Sequence, residues 1–310
     1  MSIVLITGGS GLIGRHLTER LLHQGHAVRW LGRSASQRAG VQGFRWDIAA
    51  GFVDPAALEG IDHIVHLAGA GIADKRWTRP RVADLIASRT DTARALFRAC
   101  RANGIVPASF ISAAGIGYYG ASTTAHSFTE SDAPGTDTIA RISAEWERAV
   151  DEWAPLCRVV KLRTPVVLAS EGGALPALAK PVRMGFGAPL GSGQQWMPWV
   201  HIDDLCAAYM SAMNDSGMSG AYNVIGDQAT NAVFTSTVAQ VLKRKLWLPA
   251  IPAWLLRAVL GEMADLVLEG SPVDGGRLRR AGFMFRFEEL GEALTDLLVE
   301  LPLGATAHEA

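Results

Sequence analysis

An apolar run, Ser2-Ile3-Val4-Leu5-Ile6, leads directly into Thr7-Gly8-Gly9-Ser10-Gly11-Leu12-Ile13-Gly14, and a helical pattern follows over 12–24. A buried strand that turns into a helix through glycines three residues apart restricts the fold more than any other stretch of the chain. Gly8 permits the tight turn. Gly11 lets backbone N–H groups at the helix N-terminus approach a pyrophosphate, and Gly14 lets the helix pack closely on the sheet. Ser10, Leu12 and Ile13 complete the cradle. A turn without a ligand needs fewer glycines than this.

The first half then alternates short β-branched runs with longer helical patterns. Strands are expected at 27–31, ending near Trp46-Asp47, at 61–67, at 108–113 and at 158–168, the last with Pro165 near its end. Helices are expected at 80–103, closed by Asn103-Gly104, and at 138–153. This order implies a doubly wound parallel sheet with helices on both faces. The stretch 170–200, rich in Gly, Pro and Trp, reads as a binding lobe built from loops. Beyond it come a helix at 203–214, a strand at 221–225, a helix at 231–243 capped by Asn231, and a mostly helical tail over 251–298, with fraying expected from Leu303.

A formal net charge of −1 gives no electrostatic footprint for a polyanion, and Lys243-Arg244-Lys245 and Arg277 with Arg279-Arg280 read as solvated faces. Cys100, Cys157 and Cys206 stand far apart without a CxxC, which argues against a disulfide framework or a cysteine zinc site and suits a reducing cytosol. His63 and His66 lie at odd spacing on a strand, point to opposite faces and cannot share a metal. The late apolar stretch 253–268 is interrupted by Arg257, Glu262 and Asp265 and cannot span a bilayer. The N-terminus lacks the basic region and cleavage pattern of a signal peptide. A cytoplasmic protein acting on a small molecule is expected, with no metal, nucleic acid or membrane partner and with its oligomeric state open.

Dinucleotide sites that accept NAD place a carboxylate at the end of the second strand, on the ribose 2′-hydroxyl. Here that strand ends Leu31-Gly32-Arg33-Ser34, without an acid. A guanidinium suits a 2′-phosphate, so NADP(H) is the expected cofactor; the competing reading leaves Arg33 merely solvated.

With Asp47-Ile48 after the third strand, His66-Leu67-Ala68-Gly69 after the fourth and Tyr119-Gly120 after the fifth, the chain resembles the extended short-chain dehydrogenases/reductases. These are NAD(P)-dependent sugar-nucleotide epimerases, dehydratases and reductases. Several further stretches resemble one sub-branch, described as NAD-dependent epimerase-like or cell-division-inhibitor proteins with a C-terminal helical domain. They are Ala73 to Thr78, Ser88-Arg89-Thr90, Gly117 to Gly120, Gly191 to Trp199 with His201 to Asp204, and Ala281-Gly282-Phe283. The resemblance implies that Asp47 and Ile48 meet the adenine, that Leu67, Ala68 and Gly69 border ribose and pyrophosphate, and that Pro165 and Val166 approach the nicotinamide.

It also implies a catalytic Tyr with a Lys four residues later, the phenol moving a proton while hydride moves. The four tyrosines, 118, 119, 209 and 222, are followed at that spacing by Ser122, Thr123, Met213 and Gly226, so the pair is missing. Aligned on Glu147, the two positions fall on Ile139 and Ser143, and the helper Ser of the fifth strand falls on Ala114, two residues after Ser112. Substitute candidates are Tyr118 and Tyr119, with Ser112; packing is the alternative reading for the two rings. Arg89 and Ser88 are candidates for the nicotinamide ribose or a substrate anion, against a helix-surface ion pair. His201 precedes Asp203-Asp204 at a helix start, where a carboxylate is expected to cap the free N–H groups, and the trio reads as structural. Trp77, Trp196 and Trp199 are candidates for core or for the wall of a substrate pocket, their Gly- and Pro-rich surroundings favouring the wall for at least one, with Gln194 and Gln195 supplying polar contacts. The expected fold is α/β, a doubly wound parallel Rossmann-type sheet over 1–168 and a smaller mixed C-terminal substrate lobe over 169–302, with elements around 200–225 free to return to the sheet. Two functions follow: an NADP(H)-dependent oxidoreductase or epimerase-like enzyme with a non-standard proton donor, or a catalytically silent NADP(H)-binding regulator.

Overall fold

The computed structural model describes residues 1–35 and 38–299. The chain begins with β1 (Ile3–Thr7), α1 (Leu12–His23), β2 (Ala27–Gly32), β3 (Val41–Asp47), β4 (Phe52–Val53) and β5 (His63–His66). It continues through α2 (Arg79–Ala102), β6 (Ser109–Gly115), α3 (Thr138–Asp151) and β7 (Arg158–Thr164). Next come β8 (Val166–Ala169), β9 (Gly172–Gly173), α4 (Leu175–Arg183), β10 (Trp196–His201), α5 (Ile202–Asn214), β11 (Gly220–Asn223) and β12 (Asp227–Thr230). The last elements are α6 (Asn231–Val241), α7 (Ala253–Leu260), α8 (Asp265–Leu268), α9 (Gly276–Arg280) and α10 (Leu290–Leu298).

Among the described residues the strands form two sheets, ordered β11-β7-β6-β5-β1-β2-β3-β4 and β12-β10-β8-β9. The large sheet is parallel except for β4, which closes a short hairpin on β3. The strand order reverses between β1 and β5, where doubly wound sheets open a crevice for ligands. Sequence and capping agree on the long helices. Thr78 accepts from the Arg81 N–H ahead of Pro80, Asp137 accepts from the Ala140 N–H, and Gly104, at φ +67°, stops α2. The core on the α2 and α3 face is built on Phe110, stacked at 4.0 Å on the fully buried Trp153.

Four expectations are corrected. The strand read over 158–168 is two strands in two sheets: Pro165 has no N–H for the ladder, and the chain passes there from β7 in the large sheet to β8 in the small one. The stretch 170–200 is not all loop, because α4 and β10 lie inside it. The helix from Asn231 is capped by Thr230, whose hydroxyl accepts from Val233 N–H, while Asn231 is buried and ties Leu190 N–H to its Oδ1 at 2.7 Å. Finally, α5 is capped by the imidazole of His201 rather than a carboxylate, with Nδ1 accepting from Asp203 N–H at 3.1 Å. Asp203 instead pairs with Arg20, and the buried Asp204 accepts from the N–H groups of Arg286 and Phe287. The expected fraying from Leu303 lies outside the described residues.

Candidate functional site

The glycine loop is built by close contacts that admit no side chain. Gly8 sits at φ +71°, and a β-carbon on it would stand 2.9 Å from the Leu67 carbonyl carbon. The turns after β1 and β5 are therefore in contact. A β-carbon on Gly14 would come within 2.5 Å of Gly8 O and 2.6 Å of Gly9 Cα, so only glycine lets α1 start against its own loop. Gly9, given no role by spacing alone, has one here: its β-carbon would fall 2.4 Å from the Trp30 ring, which Thr18 holds through Nε1 at 2.8 Å.

Helix α1 begins without a side-chain cap and without an acid in its first turn. Its first N–H groups, beginning with Leu12 and Ile13, lack intrahelical partners and carry the positive end of the helix dipole. They border a cavity of about 300 Å³ lined by Gly8, Gly11, Leu12, Ile13, Gly14, Leu67, Val167, Gly173 and Ala174. A side-chain-free cradle at an uncapped helix start fits a dinucleotide pyrophosphate. Val167, Gly173 and Ala174, which roof it, were not legible in the sequence, since they belong to the small sheet that Pro165 opens.

Behind the loop, Thr7 Oγ1 lies 2.9 Å from His66 Nδ1 and accepts from the N–H groups of Leu67 and Ala68. His66 Nε2 approaches Thr92 Oγ1 at 3.4 Å. Burial pulls the His66 pKa down to about 4, so the ring is neutral and ties β1, β5 and α2 together without charge. His63 bonds Ser109 instead, and no metal-binding cluster occurs among the described residues.

Arg33 follows β2 directly and is exposed. Asp47, at the end of β3, accepts from Ala50 N–H at 3.1 Å, and Ile48 and Ala68 pack on the core beneath. Gly69 is exposed and faces Arg89, whose guanidinium carbon would lie 3.0 Å from a β-carbon there. Arg89 is buried, donates to Leu85 O at 2.9 Å and lies 4.9 Å over the Trp146 ring. The competing reading, a helix-surface ion pair, is not met: no carboxylate pairs with Arg89 among the described residues, and burial, then the nearby Arg81, push its pKa down to about 10. Ser88 accepts from Ala70 N–H at 3.0 Å and so holds that loop in place. Pro165 is buried and Val166 half-buried, packed on the small-sheet core, so it is the neighbouring Val167 that reaches the cavity.

The catalytic candidates lie apart from this cavity. Tyr119 is buried, donates to Asn223 Oδ1 at 2.8 Å and accepts from Arg163 Nη1 at 2.8 Å; burial pushes its phenol up to about 12. Arg163 forks onto Glu147 at 2.7 and 3.0 Å. Its burial works against the charge, but Glu147 outweighs it and holds the guanidinium above its ordinary range. Tyr118 lies under the same guanidinium, 3.7 Å from ring centre to carbon, and lines a second, polar cavity of about 340 Å³ with Glu130, Lys161 and Arg277. That cavity shares no lining residue with the glycine-loop cavity. Ser112 is fully buried and donates to Ala113 O. Ile139 and Ser143, on the first two turns of α3, pack against Gly117.

Two of the five expected pocket residues are corrected. Trp199 is fully buried in the core between the small sheet, α4 and α6, and Gln195 is buried, with Nε2 donating to Leu190 O and Val267 O. Both hold the lobe together, and neither lines either of the two cavities described above. Trp77 donates to Ile72 O and packs with Val82 and Leu85; Trp196 is half-buried and Gln194 exposed.

A sequence model of the NAD dependent epimerase/dehydratase family matches residues 4–225, and a domain of unknown function matches residues 251–297. The human epimerase family protein SDR39U1 is 33% identical over 299 residues, covering 95% of this chain and 99% of that protein. Its crystal structure with NADPH superposes with a TM-score of 0.85, at 32% identity, over 96% of this chain and all of that one. The epimerase family protein MT2273 of Mycobacterium tuberculosis is 36% identical over 296 residues, covering 94% of this chain and 96% of that protein. A nucleoside-diphosphate sugar epimerase from Corynebacterium glutamicum matches with a TM-score of 0.78 at 28% identity, over 96% of this chain and 58% of that one.

Proposed function

The chain belongs to the NAD dependent epimerase/dehydratase family, and from that premise we propose that it is a cytoplasmic, NADP(H)-binding oxidoreductase or epimerase-like enzyme whose substrate proton does not travel through a tyrosine–lysine pair. Arg33, exposed at the end of β2 where an NAD-type site would carry an acid, is the observation that carries the cofactor preference. The NADPH in the human relative's crystal structure supports it.

In this reading residues 1–164 with α5 and β11 form the cofactor unit, and the substrate lobe begins with β8 and takes up the remaining elements. The free N–H groups of Leu12 and Ile13 hold the pyrophosphate, Arg33 the 2′-phosphate, and Asp47 with Ile48 the adenine. Leu67, Ala68 and Gly69 border the ribose, Arg89 meets the nicotinamide ribose or a substrate anion, and the turn at Pro165 and Val166 brings Val167 to the nicotinamide side. The cofactor supplies hydride chemistry when bound. Tyr118 is the proton-transfer candidate, because its hydroxyl is not taken up by another side chain among the described residues, whereas those of Tyr119 and Ser112 are engaged. Trp77, Gln194 and Trp196 are the candidate substrate contacts.

A silent NADP(H)-binding regulator is the second reading, favoured by Ile139 filling the phenol's place. Two measurements decide. Titration at low salt is expected to give tighter binding of NADPH than NADH, with Arg33→Ala weakening NADPH about tenfold or more and NADH little; equal affinities overturn the NADP(H) assignment. NADPH oxidation is then followed with a panel of carbonyls and quinones. No turnover despite tight binding selects the regulator.

A further inference from the structure

Two stretches of the small lobe carry cations and no acids, and the acids beside them, Glu292 and Asp296, sit on α10, which packs on α6. No Asp or Glu occurs from Gly172 to Ile202 or from Gln228 to Gly261, while Lys180, Arg183, Lys243, Arg244, Lys245 and Arg257 all fall within those stretches. The fold brings the two stretches together. Helix α4 packs on α6, Trp247 Nε1 donates to Gly185 O at 2.8 Å, and a β-carbon on Gly187 would stand 2.9 Å from Leu246. The end of α4 and the turn after α6 are thus one surface.

Around the Trp247–Gly185 bond three large apolar side chains face outward: Met184 is 61% exposed, Phe186 57% and Trp247 68%. Lys180, Arg183, Lys243, Arg244 and Lys245 are exposed beside them. Of the six cations only Arg257 is ion-paired among the described residues, to Asp265 and Glu269. Downstream, α7 buries none of its residues and exposes Trp254 to 71%.

Lys243, at φ +53°, is the one left-handed non-glycine residue among those described; it closes α6 in a Schellman turn, its N–H donating to Gln240 O at 3.0 Å and Arg244 N–H to Ala239 O at 2.8 Å, which turns the basic run out from the helix end.

Exposed aromatics ringed by unpaired cations suit the boundary of an anionic bilayer, where rings sit at headgroup depth and ammonium and guanidinium groups meet phosphates. A symmetric pairing of two copies through this face would instead set like charges against each other. We propose that this end of the lobe docks on an anionic lipid surface, with Phe186 and Trp247 entering the headgroup layer and Arg183 and Lys243 to Lys245 contacting lipid phosphates. No helix among the described residues is long and apolar enough to cross a membrane, so the contact is peripheral. The basic run, read from sequence as a solvated face, acquires a partner in this way.

The test is sedimentation of the full chain with vesicles of phosphatidylcholine, alone or with phosphatidylglycerol added. Binding is expected only to the anionic vesicles and to fall as salt rises. Each charge removed in Lys243→Gln, Arg244→Gln and Lys245→Gln is expected to weaken partitioning about fivefold. Phe186→Ser with Trp247→Ser is expected to weaken it further, while NADPH affinity, measured alongside, reports an intact fold. Absence of binding to anionic vesicles, equal binding to both kinds, or variants that bind like the parent would overturn the proposal. So would a concentration-dependent oligomer in sedimentation velocity that dissociates on Trp247→Ser, since a second copy would then own the face.

Discussion

Gly117 and Ile139 are packed so closely that a β-carbon on Gly117 would stand 2.6 Å from Cγ1 of Ile139 and 3.4 Å from Oγ of Ser143. The isoleucine at the position assigned to the phenol belongs to a fitted contact between the turn after β6 and the start of α3. Gly117→Ala is therefore expected to cost about 1–3 kcal/mol by overpacking. Ile139→Ala in the same chain should recover part of that loss, giving a favourable coupling energy in a urea double-mutant cycle; strictly additive losses would refute the contact's importance.

A β-carbon on Gly14 would meet backbone, at 2.5 Å from Gly8 O and 2.6 Å from Gly9 Cα and O. No side-chain adjustment can make room, so Gly14→Ala must displace α1 from its loop. NADPH binding by calorimetry should be lost or weakened more than tenfold, accompanied by a lower melting temperature. Unchanged affinity would remove the cradle from the binding site.

His66 makes stability depend on pH in a defined window. Its folded pKa, about 4, lies below the ordinary 6.5. Between these values the unfolded chain takes up a proton that the folded ring refuses, so stability falls as pH drops from 6.5 toward 4, by up to about 3 kcal/mol. Above 6.5 this contribution is complete and flat. The difference in unfolding free energy between the parent and His66→Gln should hold steady above pH 7 and shrink in the parent's disfavour below it.

The Glu147–Arg163–Tyr119–Asn223 chain of bonds separates structural from chemical roles. Glu147→Ala leaves a buried guanidinium without its partner and should cost about 3–5 kcal/mol. Tyr119→Phe should cost about 1–3 kcal/mol through unmade hydrogen bonds. With a substrate in hand, Tyr119→Phe should leave kcat nearly unchanged while Tyr118→Phe lowers it; the reverse pattern would exchange their roles.

The glycine loop was legible because its spacing is local, with Gly8, Gly11 and Gly14 flanked in sequence by strand and helix; the contacts of Gly8 with Leu67 and of Gly9 with Trp30 come from distant chain and were not. The parallel sheet was legible for a similar reason, through hydrophobic period and the caps at Thr78, Asp137 and Gly104. What escaped depends on distant packing. Pro165 was visible, but its effect, sending one apolar run into two sheets, required knowing which strand each half would meet. Trp199 and Gln195 looked like pocket residues because their neighbours are glycine and proline; burial against α4, α6 and the Val267 carbonyl decides otherwise. Asp204 was expected at a helix cap, yet its oxygens are claimed by N–H groups 82 and 83 residues away.

The crossing at Pro165 has a mechanical meaning. Arg163, which clamps Glu147, and Val167, which roofs the glycine-loop cavity, stand four residues apart on either side of a ring-locked backbone. The fixed φ stiffens the link between the two sheets, so the height of Val167 over the glycine loop follows the register in which β7 pairs with β6 and β11.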